Sequence, residues 1–192
     1  ERDRSGLAKK VKDSSNLTEL ADVIGIGMPP VGPTDAEWDS LHDWAQSVLE
    51  IKNRLESMED VVRELASEHL PSLAGLLGPI LAARLCVEAH GRARLARLPA
   101  GTMQILGAEK AFFNHLKTGS LPPKHGHIFM HPWISRSPRW VRGKIARTVA
   151  AKATIAVRCD EFGGEKWSQD AFDAIAERVE TIRSENSSPP NR

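Results

Sequence analysis

Eight apolar residues, Leu41, Trp44, Val48, Ile51, Leu55, Met58, Val62 and Leu65, follow one another at spacings that alternate between three and four. That alternation is the a/d seam of a heptad repeat, and it commits the stretch to a long helix that pairs with another helix. Charged residues fill the remaining faces, among them Glu50, Lys52, Arg54, Glu56, Glu59, Asp60, Arg63 and Glu64. A helix lying on a globular core shows a wider apolar stripe, so an ordinary surface helix is the weaker reading. Upstream, Val11, Leu17, Leu20 and Ile24 mark a first helix over 7–24. The stretch Gly25-Ile-Gly-Met-Pro-Pro-Val-Gly-Pro33 stops it and offers it as an antiparallel partner. Thr34 or Asp35 caps the heptad helix, predicted over 35–67.

Pro71 ends the heptad region. From Ser72 to Leu98 small and apolar residues dominate, interrupted by Gly75, Gly78 and Pro79, which predicts at least two helices. Further helices are expected over 102–117, from Pro138 to Asp160, and from Ser168 to Ser184. The last has Phe172, Ile175, Val179 and Ile182 on one face. Gly119 to Gly126 reads as a proline-rich loop and 186–192 as a disordered tail. Alternating β-type runs are nearly absent. The expected fold is all-α, with a coiled-coil region over 1–67 and a helical domain over 68–185. No apolar run reaches the length of a membrane span. Cys86 and Cys159, far apart in apolar surroundings, read as buried free thiols in a reducing compartment. Glu1 is not a natural start, so the chain reads as a piece of something longer.

A formal net charge of +1 conceals a strong asymmetry. Between Arg92 and Arg147 there are eleven basic residues and one acid, Glu109, a net +10. The rest of the chain holds 15 basic and 24 acidic residues, a net −9. Such segregation points to a polyanion partner for the basic block. Three segments within it carry the argument. On a helix through Leu106–Gly119, Lys110, Asn114 and Lys117 share a face, with Phe112 and Phe113 expected to pack inward. In Gly119–Pro132 the prolines stiffen a loop that presents Lys124, His125 and His127, with an imidazole ring flat enough to stack on an exposed base. In Ser135–Arg147, Arg136, Arg139, Arg142, Lys144 and Arg147 gather near a helix N-terminus, whose dipole favours phosphate. Four histidines between 115 and 131 lack a cysteine or carboxylate among them, so no metal site is expected. No nucleophile–base arrangement supports catalysis, and no cofactor is called for.

Gly-Pro-Ile-Leu-Ala-Ala-Arg-Leu at 78–85, Pro-Ala-Gly-Thr-Met-Gln-Ile-Leu-Gly-Ala-Glu-Lys-Ala at 99–111, His-Leu-Lys-Thr-Gly at 115–119, Pro-Pro-Lys-His-Gly at 122–126 and Arg-Gly-Lys-Ile-Ala-Arg at 142–147 occur in that order. Together with the helix end at 150–162 they resemble the Nop domain, closely over residues 68–164. The intact Pro-Pro-Lys-His-Gly favours the archaeal branch of that family, and with it a cytoplasmic protein. The resemblance implies an antiparallel coiled coil followed by a helical Nop domain. It also implies a non-catalytic scaffold of a box C/D RNA-guided 2′-O-methylation ribonucleoprotein. In that role the chain binds the composite surface of a kink-turn guide RNA and its small ribosomal-type kink-turn-binding protein. The coiled coil pairs two copies, and fibrillarin is held by a separate N-terminal domain that nothing in this chain resembles. Lys110, Lys117, Lys124, Arg142, Lys144 and Arg147 are then the phosphate contacts, and His125 and His127 meet bases or sugars. Asn114 stands on that face where the family commonly has arginine. A coiled-coil module binding an acidic protein without RNA, and a histidine-dependent nuclease, are the competing readings.

Overall fold

A reciprocal cap at Asn16 divides the first predicted helix in two. The Asn16 side chain accepts a hydrogen bond from the Glu19 amide at 3.0 Å, and the Glu19 carboxylate accepts one from the Ser15 amide at 2.7 Å. The computed structural model, which describes residues 4–189, accordingly has α1 (Arg4–Asp13) and α2 (Leu17–Ile24) in place of one helix over 7–24. A short polar side chain that bonds a nearby amide offers the backbone an alternative to the helical ladder. Periodicity of Val11, Leu17 and Leu20 does not register that competition.

Thr34 starts α3 (Asp35–His69) with a capping box. Its amide donates to Glu37 Oε2 at 2.8 Å, and its hydroxyl oxygen accepts from the Glu37 amide at 3.4 Å. These bonds hold the Glu37 carboxyl below its ordinary value. The helix is 35 residues long, about 52 Å at 1.5 Å per residue. His42 donates to the Ser14 carbonyl at 3.0 Å, and Ala45, one turn further on the same flank, is buried. All eight seam residues are exposed, from 38% at Val62 to 75% at Trp44. α1 and α2, of 10 and 8 residues, accompany only part of so long a helix. The chain divides into two units, Glu1–Asp60 and Val61–Arg192, with α3 running through both.

In the second unit Pro71 and Pro79 each open a helix, α4 (Pro71–Leu77) and α5 (Pro79–Glu88), where a missing N–H costs nothing. Gly78, at φ 83°, lets the chain turn by 116° between them. Then come α6 (Arg92–Arg97), α7 (Ala100–Ile105) and α8 (Glu109–Thr118), followed by a 3-10 turn at His127–Met130. The series ends with α9 (Pro132–Ser135), α10 (Arg142–Phe162) and α11 (Gln169–Glu185). The helix expected over 102–117 is thus two, broken at Gly107, whose φ of 84° no helix accommodates. α10 starts at Arg142 rather than Pro138. Residues 138–141 form a turn of their own, and the Ser137 carbonyl is taken by the Arg142 side chain.

α10 is the hub of the core. It packs against α4, α6, α7, α9 and α11, burying Ile145, Ala146, Val149, Ala150, Ala153, Ala156 and Val157. Its alanines let neighbouring helices lie close. Each fully buried leucine or isoleucine around it contributes about 1.5–3 kcal/mol relative to exposure. α11 turns Ile175, Val179 and Ile182 inward, as its period requires. Phe172 lies so close over Gly75 that a Cβ there would fall 2.5 Å from its ring.

Residues from the far end of α10 pin the start of α4. The two Asp160 carboxylate oxygens accept from the Ser72 and Leu73 amides, both at 2.9 Å, and so supply the cap that Leu70 lacks. Next to them Arg92 pairs with Glu161 at 2.5 Å and donates to the His69 carbonyl at 2.9 Å, capping the C-terminus of α3.

Candidate nucleic-acid interface

The Pro-Pro-Lys-His-Gly loop is fastened by backbone on one side. Buried Gln104 of α7 donates from Nε2 to the Lys124 carbonyl at 2.6 Å, the Gly126 amide donates to the Gln104 carbonyl at 2.8 Å, and the His127 amide to the Leu106 carbonyl at 2.8 Å. Only glycine fits at 126, because a Cβ there would lie 2.0 Å from the Leu106 carbonyl oxygen. On the other side the loop reaches α10. A Cβ at Gly143 would lie 3.6 Å from Lys124 Cδ, so the lysine stem crosses the first turn of that helix. Val141 provides α10 with no side-chain cap. Its first-turn amides and the Lys124 stem therefore lie side by side, an arrangement suited to an anion.

His125 stacks on Phe129 with ring centres 4.5 Å apart and planes 17° from parallel. The Arg142 guanidinium carbon lies 5.3 Å from the centre of the same Phe129 ring. Burial pushes the His125 imidazole below its ordinary value. The charges of Arg142 and Lys124 push the same way, against a backbone hydrogen bond that raises it. His125 is accordingly neutral near pH 7, and beside the N–H that its backbone bond engages it has an acceptor nitrogen to offer.

The remaining sequence candidates fall into two groups. Lys110 and Lys117 lie on α8 and are exposed, as is Arg147 on α10. The others are already engaged. Arg142 donates to the Ser137 and Ser135 carbonyls at 2.8 and 3.1 Å, so it braces the turn that precedes its own helix. Lys144 donates to Asn186 Oδ1 at 2.5 Å. His127 sits 3.2 Å from the Glu88 carboxylate and lies directly over Gly107, where a Cβ would meet its ring at 2.2 Å. Asn114 donates to the Ser120 hydroxyl at 3.2 Å.

One expectation fails outright. Phe112 and Phe113 do not pack inward: α8 has no buried residue, and Phe113 is 59% exposed. Beyond Gly107 the helix stands off the core, so its apolar face, with Leu116, meets solvent. Sequence reasoning also passes over Gln104, Phe129 and Glu88, which orient the loop and its histidines. Gln104 and Phe129 stand within the motif segments, but nothing in the string of residues says which polar group is buried. Asn186, expected in the tail, is instead held at both ends: its carbonyl accepts from Trp140 Nε1 at 2.8 Å and its side chain from Lys144. Residues 190–192 of that tail lie outside the described residues.

His131 caps α9, its Nδ1 accepting from the Trp133 amide at 3.2 Å, which requires that nitrogen to be unprotonated. Burial holds this imidazole below its ordinary value, against a hydrogen bond to the Leu76 backbone. A histidine with a depressed folded value stabilises the fold fully above its unfolded value of about 6.5 and loses that contribution as pH falls. The melting temperature should therefore drop between about pH 7 and about pH 5. His131→Asn, which caps without titrating, should show a smaller drop in the same scan. Equal drops in both proteins would dismiss His131 as the sensor. No group of three or more His, Cys, Asp or Glu side chains able to hold a metal ion occurs among the described residues.

The model of the Nop family, described as "snoRNA binding domain, fibrillarin", matches residues 4–181. The chain belongs to the Nop family. An uncharacterized NOP5 family protein of Methanocaldococcus jannaschii is 40% identical over 149 residues, which cover 78% of this chain and 36% of that protein. Nucleolar protein 56 of Mus musculus is 38% identical over 155 residues, 81% of this chain and 25% of its own length. The chain thus spans about a quarter to a third of these Nop relatives. A solved fibrillarin/Nop5p complex contains a chain of similar fold, with a TM-score of 0.57 and 28% identity. The match covers 93% of this chain and 67% of that one. The Nop motifs at 99–111 and 122–126 are the segments that the α7 carbonyls and the α10 N-terminus bring together.

Proposed function

We propose that this chain is the RNA-facing part of a non-catalytic scaffold in a box C/D RNA-guided 2′-O-methylation particle. It docks on a kink-turn RNA together with the small protein that holds it. The observation that carries this reading is the seating of Lys124 across the uncapped first turn of α10. There a lysine whose stem lies along the helix start and the free helix amides would together address one phosphate. Lys110, Lys117 and Arg147 extend the positive surface, and neutral His125 is ready to stack or hydrogen bond. A family description naming snoRNA and fibrillarin supports the same assembly. The exposed seam of α3 supports self-association through a second copy. Fibrillarin, present in the related solved complex, would be held through parts of a longer protein. An archaeal cytoplasm is the compartment that fits this assembly.

The test is a gel-shift titration on a kink-turn RNA with and without its small binding protein. A supershift that requires the protein is expected. Lys124→Ala should weaken it and lower the slope of log affinity against log salt by roughly 0.7–0.9, the effect of leaving one phosphate without its neutralising cation. An unchanged slope would move the RNA face away from this loop. Survival of the complex after nuclease treatment would instead favour a protein-interaction module.

A further inference from the structure

The basic surface of α10 does not stop at Arg147. Lys144, Thr148 and Lys152 follow at i, i+4 and i+8, a row of about 12 Å along one side of the helix. The row ends in an open pocket of about 310 Å³ between α10 and α11. Its walls include Thr148 and Lys152 from α10, Arg178 with the small Ala171 and Ala174 from α11, and the indole of Trp167. Two cations line it and no acid does, although α11 exposes Asp173, Glu177 and Glu180 elsewhere. Trp167 is held in place. It is half-buried against the core, its amide donates to Ser72 Oγ at 3.3 Å, and its ring packs on Phe172 with centres 5.9 Å apart. Lys152 makes no ion pair among the described residues. Among the described residues Arg178 makes only a long, exposed one with Glu185 at 3.9 Å, which a phosphate can displace.

We infer that this pocket is a second RNA contact, which takes one unstacked nucleotide of a single-stranded segment with its base against Trp167 and its phosphate between Lys152 and Arg178. The pairing of a fixed aromatic ring with flanking cations is the arrangement that holds single strands without reading sequence. The volume stands at the small end of ligand pockets, so a splayed base enters and a duplex does not. The row from Lys144 leads there from the N-terminus of α10, so a strand leaving the kink-turn surface has a charged path to follow. This inference rests on the RNA-binding reading above for its biological setting but is tested separately from it.

The experiment measures fluorescence anisotropy of a labelled short oligouridylate against the whole chain at low salt. The unaltered protein should bind it. The double variant Lys152→Glu with Arg178→Glu, both exposed positions, should bind on the order of tenfold or more weakly. Trp167→Leu should weaken it as well while keeping apolar packing. Melting temperatures near the parent's and an intact kink-turn supershift in the charge variant would localise the loss to this pocket. Failure of the parent to bind the oligouridylate, or unchanged binding by the charge variant, would overturn the inference. If the supershift is absent from the parent while oligouridylate binding responds to the two substitutions, the second contact stands and composite kink-turn recognition falls.

Discussion

Gly126→Ala should unseat the Pro-Pro-Lys-His-Gly loop and abolish most of the RNA binding. The new Cβ would fall 2.0 Å from the Leu106 carbonyl oxygen and 2.7 Å from the Ile105 carbonyl oxygen. Both are backbone atoms of a segment anchored to the core, so the loop has to yield. Yielding breaks the Gly126–Gln104 and His127–Leu106 hydrogen bonds and carries Lys124 and His125 away from α10. Breaking those bonds, with the attendant strain, is expected to cost about 2–4 kcal/mol and to weaken kink-turn binding by roughly tenfold or more. Gly101→Ala is the control, because a Cβ there meets nothing within 4 Å. Thermal melts and gel shifts on the two variants decide the matter. Normal stability and binding in Gly126→Ala would show that the loop is not fastened to α7 in this way.

Asp160→Ala should destabilise the second unit by about 2–3 kcal/mol, the sum of a missing cap and a missing charge at a helix N-terminus. For a chain of this size that corresponds to a fall in melting temperature of about 4–12 °C. The Ser72 and Leu73 amides would be left without an acceptor at a part-buried site. Asp160→Asn keeps one acceptor oxygen and should recover part of the loss. If alanine and asparagine melt together with the parent, the carboxylate is a bystander and the packing of α4 on α10 suffices.

Much of this arrangement is legible in the residues alone. The heptads of α3 depend only on period, and Thr34-Asp-Ala-Glu37 is a capping box whose two members stand three positions apart in the sequence. The inward face of α11 follows from spacing alone. The breaks are not legible. At Asn16 the decision lies between a helical amide and a side-chain acceptor of similar strength. At Gly107 it lies in the contact with His127, twenty residues on. At Pro138 it depends on an arginine that captures a carbonyl the helix would have used. Phe112 and Phe113 mislead for a related reason. Their residue type says that they favour burial, and only the course of the chain after Gly107 says that no core is within reach. At the candidate interface the exposed lysines can be picked out as a class. Which cations are free for a ligand and which brace the fold depends on partners such as Ser135, Ser137 and Asn186, far from any motif.

The cap on α4 also sets a timetable for the nascent chain. Ser72 and its acceptor Asp160 are separated by 88 positions, and α10, against which α4, α6 and α7 close, comes late in the chain. At a synthesis rate of about 5–20 residues per second, the earlier helices wait on the order of 4–18 s for the element that covers them. During that interval Leu73, Leu95 and Met103, all fully enclosed in the finished protein, lack the helix that packs against their own. A ribosome that stalls short of Phe162 therefore releases a sticky product, in which chaperones would find the apolar faces that α10 was to occupy.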